Sequence, residues 1–275
     1  MLAVGVGVGV FGSLIGSFLN VVIFRVPAGR SIVSPPSACG SCGTRVRTFD
    51  NLPVLSWLVL RGKCRDCRAP ISARYPLVEL GTAVFFAAVA WFVLATFAAR
   101  TEGTAQTVAT ILALAAFLYF ASISVALALI DLDTQRLPNS IVLPAYPIAA
   151  VLLTVAALTA GAPERLLTMA VGGVSLFAAY FAMASLYRGG MGFGDVKLAG
   201  VIGLFLGWLG WGPLVVGAFA AFLLGGLFSL VLVMTRGATG RTAIPFGPWM
   251  ILGAWVGIFA GEQIATAYLA LFGLV

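Results

Sequence analysis

Long runs of uncharged, mostly apolar residues recur along almost the whole chain, and nothing else in the sequence constrains the fold as much. Eight such runs are read, at residues 2–24, 77–99, 108–130, 141–160, 166–187, 196–212, 214–234 and 249–271. Each is close to the roughly 20 apolar residues that cross a bilayer. Backbone groups in lipid must be bonded within their own segment, so each run is expected as a helix. Composition agrees: 61% of residues are hydrophobic and 9% charged, against about 45–50% and about 25% in soluble domains. The expected fold is therefore an all-α polytopic membrane protein of about eight transmembrane helices. The first run lacks the basic start of a cleaved signal peptide and leads straight into Arg25, so it is read as a retained span.

Lys and Arg orient the bundle, because cytoplasmic loops carry the basic residues. Nine of the 16 lie between Arg25 and Arg74. With the N-terminus outside, these fall in the cytoplasm together with Arg136, Arg188, Lys197, Arg236 and Arg241, leaving Arg100 and Arg165 outside. The net charge of +7 is then a topology signal and an attraction to anionic membrane lipid, and no nucleic-acid partner is expected. The chain divides into a first transmembrane helix (1–24), a cytoplasmic insert (25–76) and a transmembrane bundle (77–275). Gly5/Gly9 and Gly12/Gly16 have the GxxxG spacing of close-packed membrane helices. Gly7 to Gly12 also spells GxGxxG, but inside an apolar span helix packing explains it better than a nucleotide.

All four cysteines lie in the insert, as Cys39-x-x-Cys42 and Cys64-x-x-Cys67. Paired CxxC knuckles about 20 residues apart suit a tetrahedral four-thiolate zinc site. Two disulfides are the alternative, disfavoured in a reducing cytoplasm. A closed thiolate shell leaves no position for water, so the expected role is structural: the metal holds together an insert too small for its own core.

The acids narrow the chemistry. Asp50 and Asp66 in the insert suit solvation or pairing with Arg, and Glu102 and Glu164 lie in short outer loops. Glu262 in the last span receives no role. Glu79, just inside the second span, is a supporting candidate. Asp131 ends the third span and Asp195 starts the sixth, both on the cytoplasmic side. Two carboxylates brought together can share one proton, so that one draws a proton from water while the other polarises a carbonyl. Asp133 is two residues from Asp131 and on a different helix face, which leaves it a supporting or capping role. Helix capping explains Asp195 by itself. It does not explain Asp131, at a helix end whose dipole disfavours an anion. The chain has no histidine, so Ser-His, Cys-His and HExxH hydrolysis are excluded. A proton-coupled transporter is the rival reading, but the chain has no evident internal two-fold repeat and transport gives no reason for the cysteine insert.

Five segments, taken in order, resemble the type IV prepilin peptidases, which are GxGD-type membrane aspartic proteases. They are Gly16–Pro27, the paired CxxC knuckles, Ile130–Asp133 with Leu137-Pro138-Asn139, Gly190–Leu198 around the GxGD of Gly192 to Asp195, and Ile244–Pro248. The resemblance implies Asp131 and Asp195 as the catalytic pair, supported by Gly192, Gly194 and Lys197. It also implies cleavage of a short basic leader from type IV prepilins or pseudopilins, at the cytoplasmic face of a bacterial inner membrane. Many members then methylate the new N-terminus with S-adenosylmethionine, and the opening segment and cysteine insert are linked to that step; no motif assigns residues to this cofactor. Asn139 departs from the Asp that many bacterial members carry.

Overall fold

A computed structural model describes residues 2–98, 103–186, 191–236 and 245–274. Expectations that rest on Arg100, Glu102, Arg188, Gly189, Gly190, Arg241, Ile244 and the side chain of Arg236 lie outside the described residues. The helices run α1 (Leu2–Arg25), α2 (Leu55–Val59), α3 (Arg74–Val93, continued by a π turn over Leu94–Ala98), α4 (Thr104–Thr134) and α5 (Asn139–Thr159), then α6 (Glu164–Leu186), α7 (Phe193–Leu209), α8 (Trp211–Arg236) and α9 (Gly247–Ala270). Among the described residues there is no strand, only the isolated antiparallel bridges Ala38–Arg45 and Lys63–Pro70.

Seven of these helices are long and apolar enough to cross a membrane, which makes this a multi-pass membrane protein. The remaining expected span is α7, with 17 residues; at 1.5 Å per residue it rises only about 25 Å. Gly210, at φ 135°, ends it immediately before α8. Eleven of its 17 residues are buried, so its neighbours are mainly protein and it need not match the lipid thickness. Two boundaries move with consequence. α3 starts at 74 and not at 77, and α4 runs on to 134, placing Asp131 and Asp133 inside a helix and not beyond it.

The chain forms two compact units, Met1–Thr101 with Phe117–Ala126, and Glu102–Ala116 with Leu127–Val275. In the first, α1 lies antiparallel against α3. A Cβ added at Gly12 would stand 2.7 Å from Phe86 Cβ, and one at Gly16 would stand 2.8 Å from Glu79 Cα. The stripe in use is Gly9, Gly12 and Gly16; Gly5 faces open space, so the expected Gly5/Gly9 pair does not form a packing face. Gly12→Leu is accordingly expected to destabilise the protein by about 1–3 kcal/mol or more, while Gly5→Leu changes nothing. Thermal unfolding of the two purified variants in one detergent distinguishes them.

In the second unit, α6 and α7 touch backbone to backbone. A Cβ at Gly207 would stand 3.1 Å from Met169 Cα, and one at Gly203 would collide with Gly172. α8 and α9 do the same: a Cβ at Gly257 would stand 2.8 Å from Gly217 Cα, and one at Gly261 2.6 Å from Pro213 Cα. Such close approach substitutes dispersion contacts for the hydrophobic drive that lipid removes. Trp208 and Leu153 tie α7 to α5 through an indole N–H donated to a carbonyl at 2.9 Å. The result is a fixed frame around the C-terminal end of α4 and the N-terminal ends of α7 and α9.

Candidate active site and metal centre

Asp131 lies on the buried face of α4 with Leu127 and Ile130, and is itself 4% exposed. Asp133, two residues on, is exposed. That is the divergence expected of i and i+2 positions. The helix closes just beyond, where Gln135 turns to φ 52° and donates its N–H to the Asp131 carbonyl at 2.8 Å. Asp131 Oδ2 accepts the N–H of Gly247 at 3.1 Å, across 116 residues of sequence. Gly247 is the first residue of α9, and Pro248 follows it. An anion disfavoured at the C-terminal end of α4 therefore meets the positive end of α9. A Cβ at Gly247 would stand 2.7 Å from Asp131 Oδ2, so glycine is what lets the two approach.

Asp195 occupies the first turn of α7 and is half-buried. Its carboxylate accepts the N–H of Gly192 at 3.2 Å, and its own N–H reaches the Gly192 carbonyl at 3.0 Å. This is ordinary N-terminal capping, as the sequence alone allows. Its surroundings add more. A Cβ at Gly194 would stand 2.9 Å from Leu137 Cβ, and one at Gly247 would stand 3.4 Å from Leu137 Cδ2. Leu137 thus lies against the glycine preceding Asp195 and against the glycine that binds Asp131. Tyr180, 3% exposed, packs on Phe246, the residue before Gly247, with ring centroids 6.3 Å apart.

Lys197 is two residues from Asp195, on a different face of α7, without an ion pair to it among the described contacts. Its ammonium donates to Asn139 Oδ1 at 2.9 Å and lies 4.8 Å over the Phe193 ring, while Tyr146 donates its hydroxyl proton to the Lys197 carbonyl at 2.6 Å. Asn139 keeps this bond as an acceptor, so an Asp there would add charge to an existing contact. Lys197 is in this way a link between α5 and α7. Glu79 belongs to the first unit. There its carboxylate accepts the Val54 N–H at 2.7 Å and fastens the insert to α3.

Gly247, Leu137 and Tyr180 were not expected here from the sequence. Leu137 and Gly247 fall in segments that carry the family resemblance without a role assigned to either, and Gly247 also has a local signal: a Gly-Pro step at a helix start fits proline's place in the first helical turn. Its partner 116 residues earlier is invisible to any such pattern.

In the insert the four Sγ atoms lie within 4.8 Å of one another, and all four cysteines are unlinked. Each knuckle is a small backbone-bonded turn. Cys39 N–H reaches Thr44 O at 2.9 Å and Gly43 N–H returns to Cys39 O at 2.9 Å; Cys64 N–H reaches Ala69 O at 2.8 Å and Arg68 N–H returns to Cys64 O at 3.1 Å. Gly43 and Arg68 occupy equivalent left-handed positions, at φ 72° and φ 62°. The Sγ atoms of Cys39 and Cys67 are 3.8 Å apart, matching the edge of about 3.8 Å of a tetrahedron with metal–sulfur bonds of about 2.3 Å. Backbone N–H groups of Cys42 and then Ser41 hold the Cys39 thiol down at about 6. The Ala69 N–H works the same way on Cys67, but the crowding thiols push Cys67 up to about 12. Thiols that contest negative charge in this way are suited to a dication at their centre, which favours thiolate on every ligand. The cluster can therefore hold a metal ion.

Residues 10–93 match the family model of the bacterial peptidase A24 N-terminal domain, and residues 118–230 match that of the type IV leader peptidase family. The chain is 34% identical to a prepilin leader peptidase/N-methyltransferase of Pseudomonas putida, over 96% of this chain and 93% of that protein. It is 33% identical to the protein of that name in Pseudomonas aeruginosa, over 95% and 92%, and 32% identical to that of Neisseria gonorrhoeae, over 94% and 91%. No solved structure matches the chain significantly. Similarity of this extent, over nearly the full length of both chains, means that the protein belongs to the prepilin leader peptidase/N-methyltransferase family.

Proposed function

We propose that this protein is a membrane aspartic endopeptidase that removes the leader peptide from type IV prepilins or pseudopilins and then methylates the new N-terminus. Asp131 and Asp195 are its catalytic pair. The observation that supports this reading is geometric: Asp131 accepts the N–H of Gly247, Asp195 accepts that of Gly192, and Leu137 lies against both Gly247 and Gly194, so the two helix N-termini that hold the carboxylates share one neighbour. The family supports the substrate class. The basic insert supports an active site at the cytoplasmic face of the inner membrane, with the N-terminus outside. The transporter reading has no support among the relatives named above.

One carboxylate of the pair is ionised and takes a proton from water, and the resulting hydroxide adds to the scissile carbonyl. The protonated partner gives its proton to the carbonyl oxygen, leaving a gem-diol. On collapse the C–N bond breaks, the amine takes the proton first drawn from water, and a diol hydroxyl returns a proton to the partner. Gly247 and Gly192 hold the carboxylates through backbone N–H bonds. Lys197, Asn139 and Leu137 keep the helix ends in place, Asp133 stays outside the pair, and Gly194 leaves room for Leu137. Glu79 supports the insert. Cys39, Cys42, Cys64 and Cys67 would hold zinc, which supplies a structural cross-link when bound. S-adenosylmethionine is the methyl donor that the family name implies, and no residue is assigned to it.

The reading is tested by incubating the purified protein with a peptide that spans a type IV prepilin leader and the start of its hydrophobic helix. Mass spectrometry is expected to show a shortened product, with one added methyl when S-adenosylmethionine is present. An intact peptide under conditions where the protein is folded contradicts it.

A further inference from the structure

The short helix α2 carries a surface that the peptidase reaction does not use. At 100° per residue, Leu58, Leu55 and Val59 fall on one arc of about 100°, with Ser56 and Trp57 on the other side. The two sides are treated differently. Trp57 faces inward, donating its indole N–H to the Ile71 carbonyl at 3.1 Å, and a Cβ at Gly62 would meet its ring at 2.8 Å. Ser56 donates its hydroxyl proton to the Phe49 carbonyl at 3.1 Å. The three aliphatic residues face outward, with Leu55 61%, Leu58 57% and Val59 76% exposed, and Leu52 continues the face at 54%. Facing bulk water, such a cluster is a liability.

Its depth and its charge say what covers it. The Val54 N–H, immediately before α2, is held by Glu79 in the second turn of membrane helix α3. That contact places α2 at the level where α3 enters the bilayer. The surrounding insert is basic. Asp50 and Asp66, the two acids between Arg25 and Arg74, are already paired with Arg65 and Arg47. Arg45, Arg61, Lys63 and Arg68 are exposed and have no carboxylate partner among the described residues. A face of this charge repels a basic leader and attracts anionic headgroups. We propose that α2 is an interfacial anchor: Leu55, Leu58 and Val59 enter the acyl boundary, and the basic residues of the knuckles rest on anionic phospholipid.

The test uses the full-length, metal-loaded protein in lipid nanodiscs and reads no cleavage, so it stands apart from the catalytic proposal. A photoreactive p-benzoylphenylalanine replaces Leu58, and in a parallel sample it replaces Phe11, an outward-facing residue of α1. The expected result is a lipid adduct at both positions, with a yield at Leu58 several-fold higher in phosphatidylglycerol than in phosphatidylcholine. Leu58→Glu with Val59→Glu is expected to speed amide hydrogen exchange over residues 52–60 several-fold in the anionic bilayer. Three outcomes overturn the proposal: an adduct from Leu58 to protein or to an added prepilin peptide, no adduct while Phe11 reacts, or a yield indifferent to headgroup charge.

Discussion

Asp131→Asn and Asp195→Asn are each expected to slow leader cleavage by about 10²–10⁴-fold, the range that a positioned acid–base group supplies. The substitution is chosen for what it keeps. An amide oxygen still accepts the Gly247 N–H in place of Asp131, and the Gly192 N–H in place of Asp195. The caps and the buried contact survive, so helix content and unfolding temperature are expected to stay close to those of the parent. What disappears is the ability to cycle a proton. If Asp195 served only to accept the Gly192 N–H at the start of α7, the amide oxygen of Asn would serve almost as well and cleavage would persist. Asp133→Asn is the companion control, because that side chain lies on the exposed face of α4; it is expected to leave turnover within a few-fold of the parent.

The second large effect concerns the insert. Between residues 25 and 73, Cys64 is the only buried apolar residue among those described. Such a segment has no hydrophobic core to fold around. Its order then rests on the two knuckles, the ion pairs Arg47–Asp66 and Arg65–Asp50, and a metal joining the four sulfurs. Structural zinc in small domains contributes on the order of 10 kcal/mol or more of apparent folding free energy at neutral pH. Cys64→Ser removes the most enclosed ligand. Elemental analysis of the purified protein is expected to show one zinc per chain falling to nearly none, and limited proteolysis is expected to cut within the insert. A strong chelator applied to the parent should produce the same fragments. Unchanged metal content, or an insert that resists protease without metal, would show that the cysteines do another job.

Much of this protein is legible one segment at a time. Apolar runs give the spans, because lipid enforces helices, and the knuckle spacing gives the cluster, because each CxxC turn is local. The aspartates stand out because charge is rare at span ends. What sequence could not supply is pairing across distance. The contact of Asp131 with Gly247 bridges 116 residues, and only that contact explains how an anion is tolerated at the wrong end of α4. The GxxxG reading was half right for a similar reason: spacing identifies a stripe of small residues, but only the partner helix selects Gly9, Gly12 and Gly16 over Gly5. The left-handed turn at Arg68 was hidden because the second knuckle lacks the glycine that Gly43 supplies to the first. The shortness of α7 follows from burial against neighbouring helices, which hydropathy does not register.

Everything in the catalytic proposal depends on Asp131 and Asp195 working as one unit on one water molecule. Single-turnover cleavage by Asp131→Asn, Asp195→Asn and the double variant decides it. Groups that act together are strongly non-additive: once one is lost, the other has nothing left to contribute. The double variant is therefore expected to cleave no more slowly than either single variant. Losses that multiply in the double variant, or near-parental cleavage by either folded single variant, would mean that the two carboxylates do not share the reaction.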